Sequence, residues 1–218
     1  MVMKELAPAF EKRSGYKSNI SFGSSGNFYA QILNGAPFDV FLSADVDYPR
    51  RLIAAGVADA SSLYVYGVGH IVLWAPGKSA DLSRDGLKML LQPSVRKIAI
   101  ANPEHAPYGR AAVAALRHAG IYEQVKDKLV FGENVAQAAQ FVDSGNADAG
   151  LISLSLMKEK KTSNDMLVES YPAIDQAAVA IKSTPNRAAA EALLNFVQSD
   201  EGRHLLEVYG FMPPSEKP

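Results

Sequence analysis

The 218-residue sequence predicts an α/β chain of two lobes, and three observations carry the prediction. Short apolar runs alternate with amphipathic stretches in a strand, helix, strand rhythm, the pattern of a parallel sheet with helices on its faces. The length suits two lobes of about 100 residues each, the common size of a domain. Two extended stretches, near Gly67 to Ala75 and Gln176 to Lys182, read as crossings between them. The first lobe is expected over 1–68 and 180–218, and the second over 69–179.

The elements follow in order. "MVMKELAPAFEKRSG" reads as an amphipathic helix, with Val2, Leu6 and Phe10 at helical spacing and Gly15 as its stop. "KSNISF" reads as a short strand, "GNFYAQILNGA" as a helix ending near Gly35, and "FDVFLSAD" as an alternating strand with a small polar tip. After the helix "YPRRLIAAG", the apolar stretch "GVGHIVLWAPG" reads as one strand that opens a second series. That series is strand, loop, helix in "VRKIAIANPEHAPYGRAAVAALRHAG", then strand, loop, helix, strand in "KLVFGENVAQAAQFVDSGNADAGLIS". "VESYPAIDQAAVAIKS" is extended, and "NRAAAEALLNFVQSDEGRHLLEVYGF" is a helix pair with Glu201 and Gly202 between its members. No internal repeat or low-complexity tract interrupts this order.

Composition removes several function classes. Hydrophobic residues make up 48% and charged residues 21%, so a globular core is expected and disorder is not. A formal net charge of −1 gives no support for nucleic-acid binding, which usually shows as a basic patch, nor for a polybasic membrane contact. An anionic small ligand would have to be held locally. With no cysteine there is no disulfide, thiolate metal site or cysteine nucleophile. No run reaches the roughly 18 apolar residues of a membrane span, and the first residues lack the order of a signal peptide.

Three loops share one design, a small or polar turn with few charges leading into a helix: "FGSSGN", "ANPEHAPYG" and "FGENVAQ". In such units the helix starts at the carboxyl edge of the sheet, where backbone N–H groups and the helix dipole favour an anion. Each loop taken singly is also ordinary turn and cap chemistry. Three of them across two lobes favour a ligand in a cleft. Gly23, Ser24, Ser25, Gly26 is not the nucleophile elbow of a serine hydrolase. His105 reads as a partner that fixes its turn rather than a base. His70, His118 and His204 lack a partner at metal spacing, which argues against zinc. Trp74, Tyr64 and Tyr66 read as packing residues near the crossing, and Met157 to Lys161 as a solvated helix end.

"SFGSSGNFYAQILNGAPFDVFLSAD", "ANPEHAPYGRAAVAAL", "GENVAQAAQFVDSGNADAGLIS" and "LLEVYGF" together resemble the molybdate-binding proteins of bacterial ABC uptake systems, nearly end to end. The resemblance implies a two-lobed periplasmic binding-protein fold of the type with two crossings (type II). It implies a non-enzymatic solute-binding protein that clamps molybdate or tungstate between its lobes and delivers it to an ABC permease. It further implies a periplasmic monomer, with no cofactor, no cationic metal and no nucleic-acid partner. Ser25 matches the family's serine that donates through hydroxyl and N–H, while Tyr108 and Val135 match positions that donate through N–H. Where some relatives place a tyrosine hydroxyl this chain has Ser153.

A donor-only site of this kind suits a fully deprotonated dianion, because a protonated phosphate would turn a donor toward a donor. The family also has a first strand and an Ala-Ser-rich loop before the helix at Met1. Their absence from 1–218 leads to the expectation of a truncated first lobe with a slot between Ile20 and Val40, and of a half-built site at Ser25. A sensing domain of a regulator would need a helix-turn-helix and an enzyme a base facing the cleft, and the sequence offers neither. A non-binding remnant is supported only by the missing strand.

Overall fold

The computed structural model describes residues 2–77, 82–158 and 165–214, and it separates into two compact units. Unit 1 is Met1–Gly69 with Asp175–Pro218, and unit 2 is His70–Ile174. The first division falls one residue from the expected one. The second falls at 174/175 rather than 179/180, because the strand that begins at Ile174 ladders within unit 1.

Unit 1 opens with α1 (Met3–Ser14), α2 (Ser25–Leu33), β1 (Val40–Ser43), α3 (Asp47–Ala54) and β2 (Tyr64–Gly69). Unit 2 follows with β3 (Ile71–Trp74), α4 (Leu82–Asp85), β4 (Ile98–Ala101), α5 (Pro107–His118), α6 (Tyr122–Val125), β5 (Leu129–Gly132), α7 (Val135–Asp143), β6 (Ala149–Ser153), α8 (Leu154–Met157) and β7 (Asp165–Leu167). The chain then returns through β8 (Ile174–Ala180), α9 (Arg187–Gln198) and α10 (Asp200–Val208). No helix among the described residues is long and apolar enough to cross a membrane.

Among the described residues, the sheet of unit 1 has the order β1-β8-β2. β1 and β8 are antiparallel, with Val40 opposite Ala180 and Ser43 opposite Ala177. β8 is buried over nearly its whole length, as expected of a central strand covered on both faces. Phe41 and Val179 pack with Ile32 of α2 and Leu52 of α3, while Ala178 and Ala180 pack with Leu194 of α9. Leu6 and Phe10 of α1 pack with Phe196, Val197 and Leu206. Burying each of these large side chains contributes about 1.5–3 kcal/mol, which fixes α1 against the C-terminal helices.

The expected strand at "KSNISF" is not formed. Residues 15–24 carry neither helix nor ladder. Glu11 explains the start of this stretch: its carboxylate accepts the Ser18 N–H at 2.9 Å and the Lys17 ammonium at 3.0 Å, so the chain leaving α1 folds back on it. Strand propensity alone does not make a strand where no neighbour supplies ladder partners.

Two further readings are corrected. "GVGHIVLWAPG" is two strands, β2 and β3, in different sheets, with His70 between them. The break between α9 and α10 lies at Ser199, whose Oγ accepts the Gly202 N–H at 3.2 Å, so Glu201 and Gly202 belong to the first turn of α10.

The sheet of unit 2 has the order β5-β4-β6-β3-β7. β4 is parallel to β5 and β6, and β3 is antiparallel to β6 and β7. The parallel part is the one that feeds loops into helices, so the carboxyl ends of β4, β5 and β6 gather α5, α7 and α8 along one edge. Trp74 is 1% exposed and sits in the core of this unit with Val72 and Ile152. Met157, expected on a solvated end, is buried in the same core, and the rest of that run beyond Lys158 lies outside the described residues.

Candidate functional site

In unit 1, Ser24 and Ser25 divide the work at the start of α2. Ser24 is the N-cap, and its Oγ accepts the Asn27 N–H at 3.3 Å. Ser25 is the first helical residue, only 7% exposed, and its Oγ accepts the Ala44 N–H at 2.9 Å. That bond occupies a lone pair and leaves the hydroxyl proton to be donated. The N–H groups of Ser25 and Gly26 have no acceptor among the described residues, as the first turn of a helix requires. Ser25 thus offers a hydroxyl and a backbone N–H at a helix start whose dipole favours negative charge.

The polar tip of β1 holds Ala44 in place. Ser43, fully buried, donates its hydroxyl to Asp45 Oδ1 at 3.1 Å and accepts the Asp45 N–H at 3.2 Å. Asp45 Oδ1 also accepts the Tyr48 N–H at 3.1 Å at the start of α3. Tyr66, read in the sequence as packing, donates its hydroxyl within reach of the Ser43 carbonyl at 3.1 Å and Gln176 Oε1 at 2.9 Å. Sequence reasoning missed this support. Its only signal was the small polar ending of "FLSAD" after an apolar run.

In unit 2, α5 and α7 start at the carboxyl ends of β4 and β5. Asn102 holds the first loop: its carbonyl accepts the Ala106 N–H at 2.9 Å and its Oδ1 the Glu104 N–H at 3.0 Å, while its own N–H reaches the Gly132 carbonyl at 2.8 Å. Pro107 then opens α5, where a missing N–H costs nothing, and Tyr108 follows in the first turn, 6% exposed. Gly109 is required by space: a Cβ there would stand 2.2 Å from the Ala101 carbonyl oxygen. The α5 start therefore sits hard against the end of β4.

The start of α7 is built the same way. Asn134 caps it, and its Oδ1 accepts the N–H groups of both Ala136 and Gln137 at 3.0 Å. Val135, the first helical residue, keeps an N–H with no acceptor among the described residues. A Cβ on Gly132 would meet the Ala138 nitrogen at 2.6 Å, so only glycine lets β5 approach the helix this closely. His105 Nε2, on the loop before α5, lies 3.8 Å from Glu133 Oε2 on the loop before α7. Unit 2 thus brings Tyr108 and Val135 to one sheet edge, and unit 1 places Ser25 at its own helix start. Ser153, at the end of β6, donates to the Tyr108 hydroxyl. Among the described residues, no three His, Cys, Asp or Glu side chains converge as metal ligands.

Neutral donors at the starts of α2, α5 and α7 are the chemistry of a protein that holds an anionic solute. The chain belongs to the bacterial extracellular solute-binding proteins, whose family profile matches residues 1–212. It is 38% identical over 212 residues to the molybdate-binding protein ModA of Rhodobacter capsulatus, covering 96% of this chain and 82% of that protein. It is 39% identical over 216 residues to ModA of Azotobacter vinelandii, covering 96% and 84%. Among solved structures, the Azotobacter vinelandii periplasmic molybdate-binding protein superposes with a TM-score of 0.91 at 33% identity, covering 98% of this chain and 95% of that one. That structure is of the two-lobed binding-protein fold expected from the sequence.

Proposed function

We propose that this chain binds molybdate or tungstate and delivers it to an ABC permease in the periplasm, acting as a monomer and not as an enzyme. The observation that carries the reading is the placement of Ser25, Tyr108 and Val135, each in the first turn of a helix. The names of the relatives supply the ligand class. The donors expected for the oxyanion are the Ser25 hydroxyl and N–H and the N–H groups of Tyr108 and Val135.

The chemistry favours this class of ligand. A dianion removed from water is costly unless hydrogen-bonded around its surface, and hydrogen bonds to a charged partner are the strong ones. Molybdate and tungstate are fully deprotonated at neutral pH and can accept from every side. Phosphate carries a proton that needs an acceptor, which helix starts do not supply.

Titration calorimetry with molybdate, tungstate, sulfate and phosphate tests the reading. Molybdate and tungstate are expected to bind far more tightly than the other two. Sulfate bound as tightly as molybdate would overturn the assignment.

A further inference from the structure

Ser153 closes β6 with its side chain only 2% exposed, and its Oγ donates to Tyr108 Oη at 3.1 Å. The same Oγ lies 2.8 Å from Ser155 Oγ and accepts the Ser155 N–H at 3.3 Å. A hydroxyl has one proton and two lone pairs, so these contacts set a direction. With the Ser153 proton given to Tyr108, both lone pairs are taken by Ser155, through its hydroxyl and its N–H. Three hydroxyls thus stand in line, Ser155 to Ser153 to Tyr108.

The base of this chain is rigid. Ser153 lies opposite Ile71 in the ladder between β6 and β3, and the next N–H, that of Leu154, donates to the His70 carbonyl at 2.9 Å. The tyrosine ring, 6% exposed, is pinned at its far end by this frame, and at its near end it belongs to the second residue of α5. A hydrogen bond between two buried side chains is costly to break, so the contact constrains where the start of α5 can sit.

We infer that Ser153 is a positioning residue of the oxyanion site: through the Tyr108 hydroxyl it sets the first turn of α5, and so the aim of the Tyr108 N–H. The inference rests on the oxyanion-binding reading. Ser153 also caps the four-residue α8, but that role uses the acceptor side of the hydroxyl and does not involve Tyr108. The two roles are therefore separable.

A double-mutant cycle on the full chain tests this, with sodium molybdate as the titrant and wild type, S153A, Y108F and the double variant compared. S153A is expected to weaken molybdate about twofold to tenfold, the range for one neutral hydrogen bond. In the Y108F background the same substitution should change affinity by less than about twofold. Unchanged affinity in S153A would overturn the inference, and so would an equal loss with and without the Tyr108 hydroxyl, which would place the effect in α8.

The ligand-free ultraviolet difference spectrum of S153A against wild type separates the two readings. It should show a tyrosine band shift that disappears when both proteins carry Y108F. A shift with no molybdate binding by wild type would overturn the ligand assignment while leaving the hydroxyl contact intact.

Discussion

The backbone N–H of Ala44 donates to Ser25 Oγ at 2.9 Å, joining the tip of β1 to the start of α2. Ser25 is thereby held in one rotamer with its proton left to donate. Replacing it by alanine removes the hydroxyl proposed to donate to the ligand and orphans the Ala44 N–H. Ser25→Ala is expected to cost about 1.5–3 kcal/mol of molybdate binding, or roughly tenfold to a hundredfold in affinity by calorimetry. An unaltered affinity would place the unit 1 donor elsewhere.

Gly109 gives a prediction about stability and binding together. An added Cβ would lie 2.2 Å from the Ala101 carbonyl oxygen and 2.8 Å from the Pro103 nitrogen, both backbone atoms that cannot swing away. Gly109→Ala should therefore destabilise the protein by about 1–3 kcal/mol and weaken molybdate binding, because the start of α5 must move. Thermal melting and calorimetry on the same sample would show both effects. A melting temperature equal to wild type would mean that the close approach is relieved without cost.

Two carboxylates contribute to acid behaviour. Asp59 is held at about 2 by the Arg187 guanidinium, then by the Ser61 hydroxyl and N–H. Glu11 is held at about 2 by the Ser18 N–H, the Lys17 ammonium and the Ser18 hydroxyl. In both, the folded value lies below the unfolded one. Their stabilisation is therefore fully present above about pH 4 to 4.5 and is lost as pH falls through about 2. Asp59→Asn should lower the melting temperature above about pH 4 and converge on wild type as pH falls towards about 2, which flattens that part of the acid limb. A deficit relative to wild type that persisted undiminished at about pH 2 would contradict the assignment.

His70 acts in a different window. Its Nε2 is buried with no hydrogen-bond partner among the described residues, and burial holds the imidazole below its ordinary value of 6.5. Protonation is thus easier in the unfolded chain. The contribution of neutral His70 is complete above about 6.5 and declines as pH falls below it. His70→Gln should remove that decline from the melting profile between about pH 6.5 and 5. A wild-type profile flat over the same interval would show that the imidazole charges without loss.

Local patterns carried much of the fold. β4, α5, β5, α7 and β6 were legible because period-2 and helical patterns alternate there with capping residues such as Asn134. Pairing is less local. "KSNISF" has strand composition, yet Ser18 is taken by Glu11 and the stretch has no ladder neighbour. The break at His70 was hidden because both flanking runs are apolar and only the sheet assignment divides them. The break at Ser199 was legible in principle, since a serine followed by Asp200 and Glu201 is a helix-start signature.

The site divides the same way. Ser25, Tyr108 and Val135 were marked by the loops that bear them and by family resemblance. The Ser153 to Tyr108 contact joins residues 45 apart and depends on β6 lying beside β4, which no local pattern encodes.

The central claim is that backbone N–H groups at helix starts hold the oxyanion, and Val135→Pro tests it most directly. Proline suits the first position of a helix, and Asn134 already has the extended backbone (φ −150°, ψ 174°) that a residue before proline prefers. The Asn134 bonds to Ala136 and Gln137 remain, so the Val135 N–H is the one helix-start donor removed, and the proline ring keeps an apolar group against the unit 2 core. Calorimetry of this variant should show molybdate affinity reduced roughly tenfold to a hundredfold, with a melting temperature close to wild type. Wild-type affinity in a well-folded Val135→Pro protein would contradict the account.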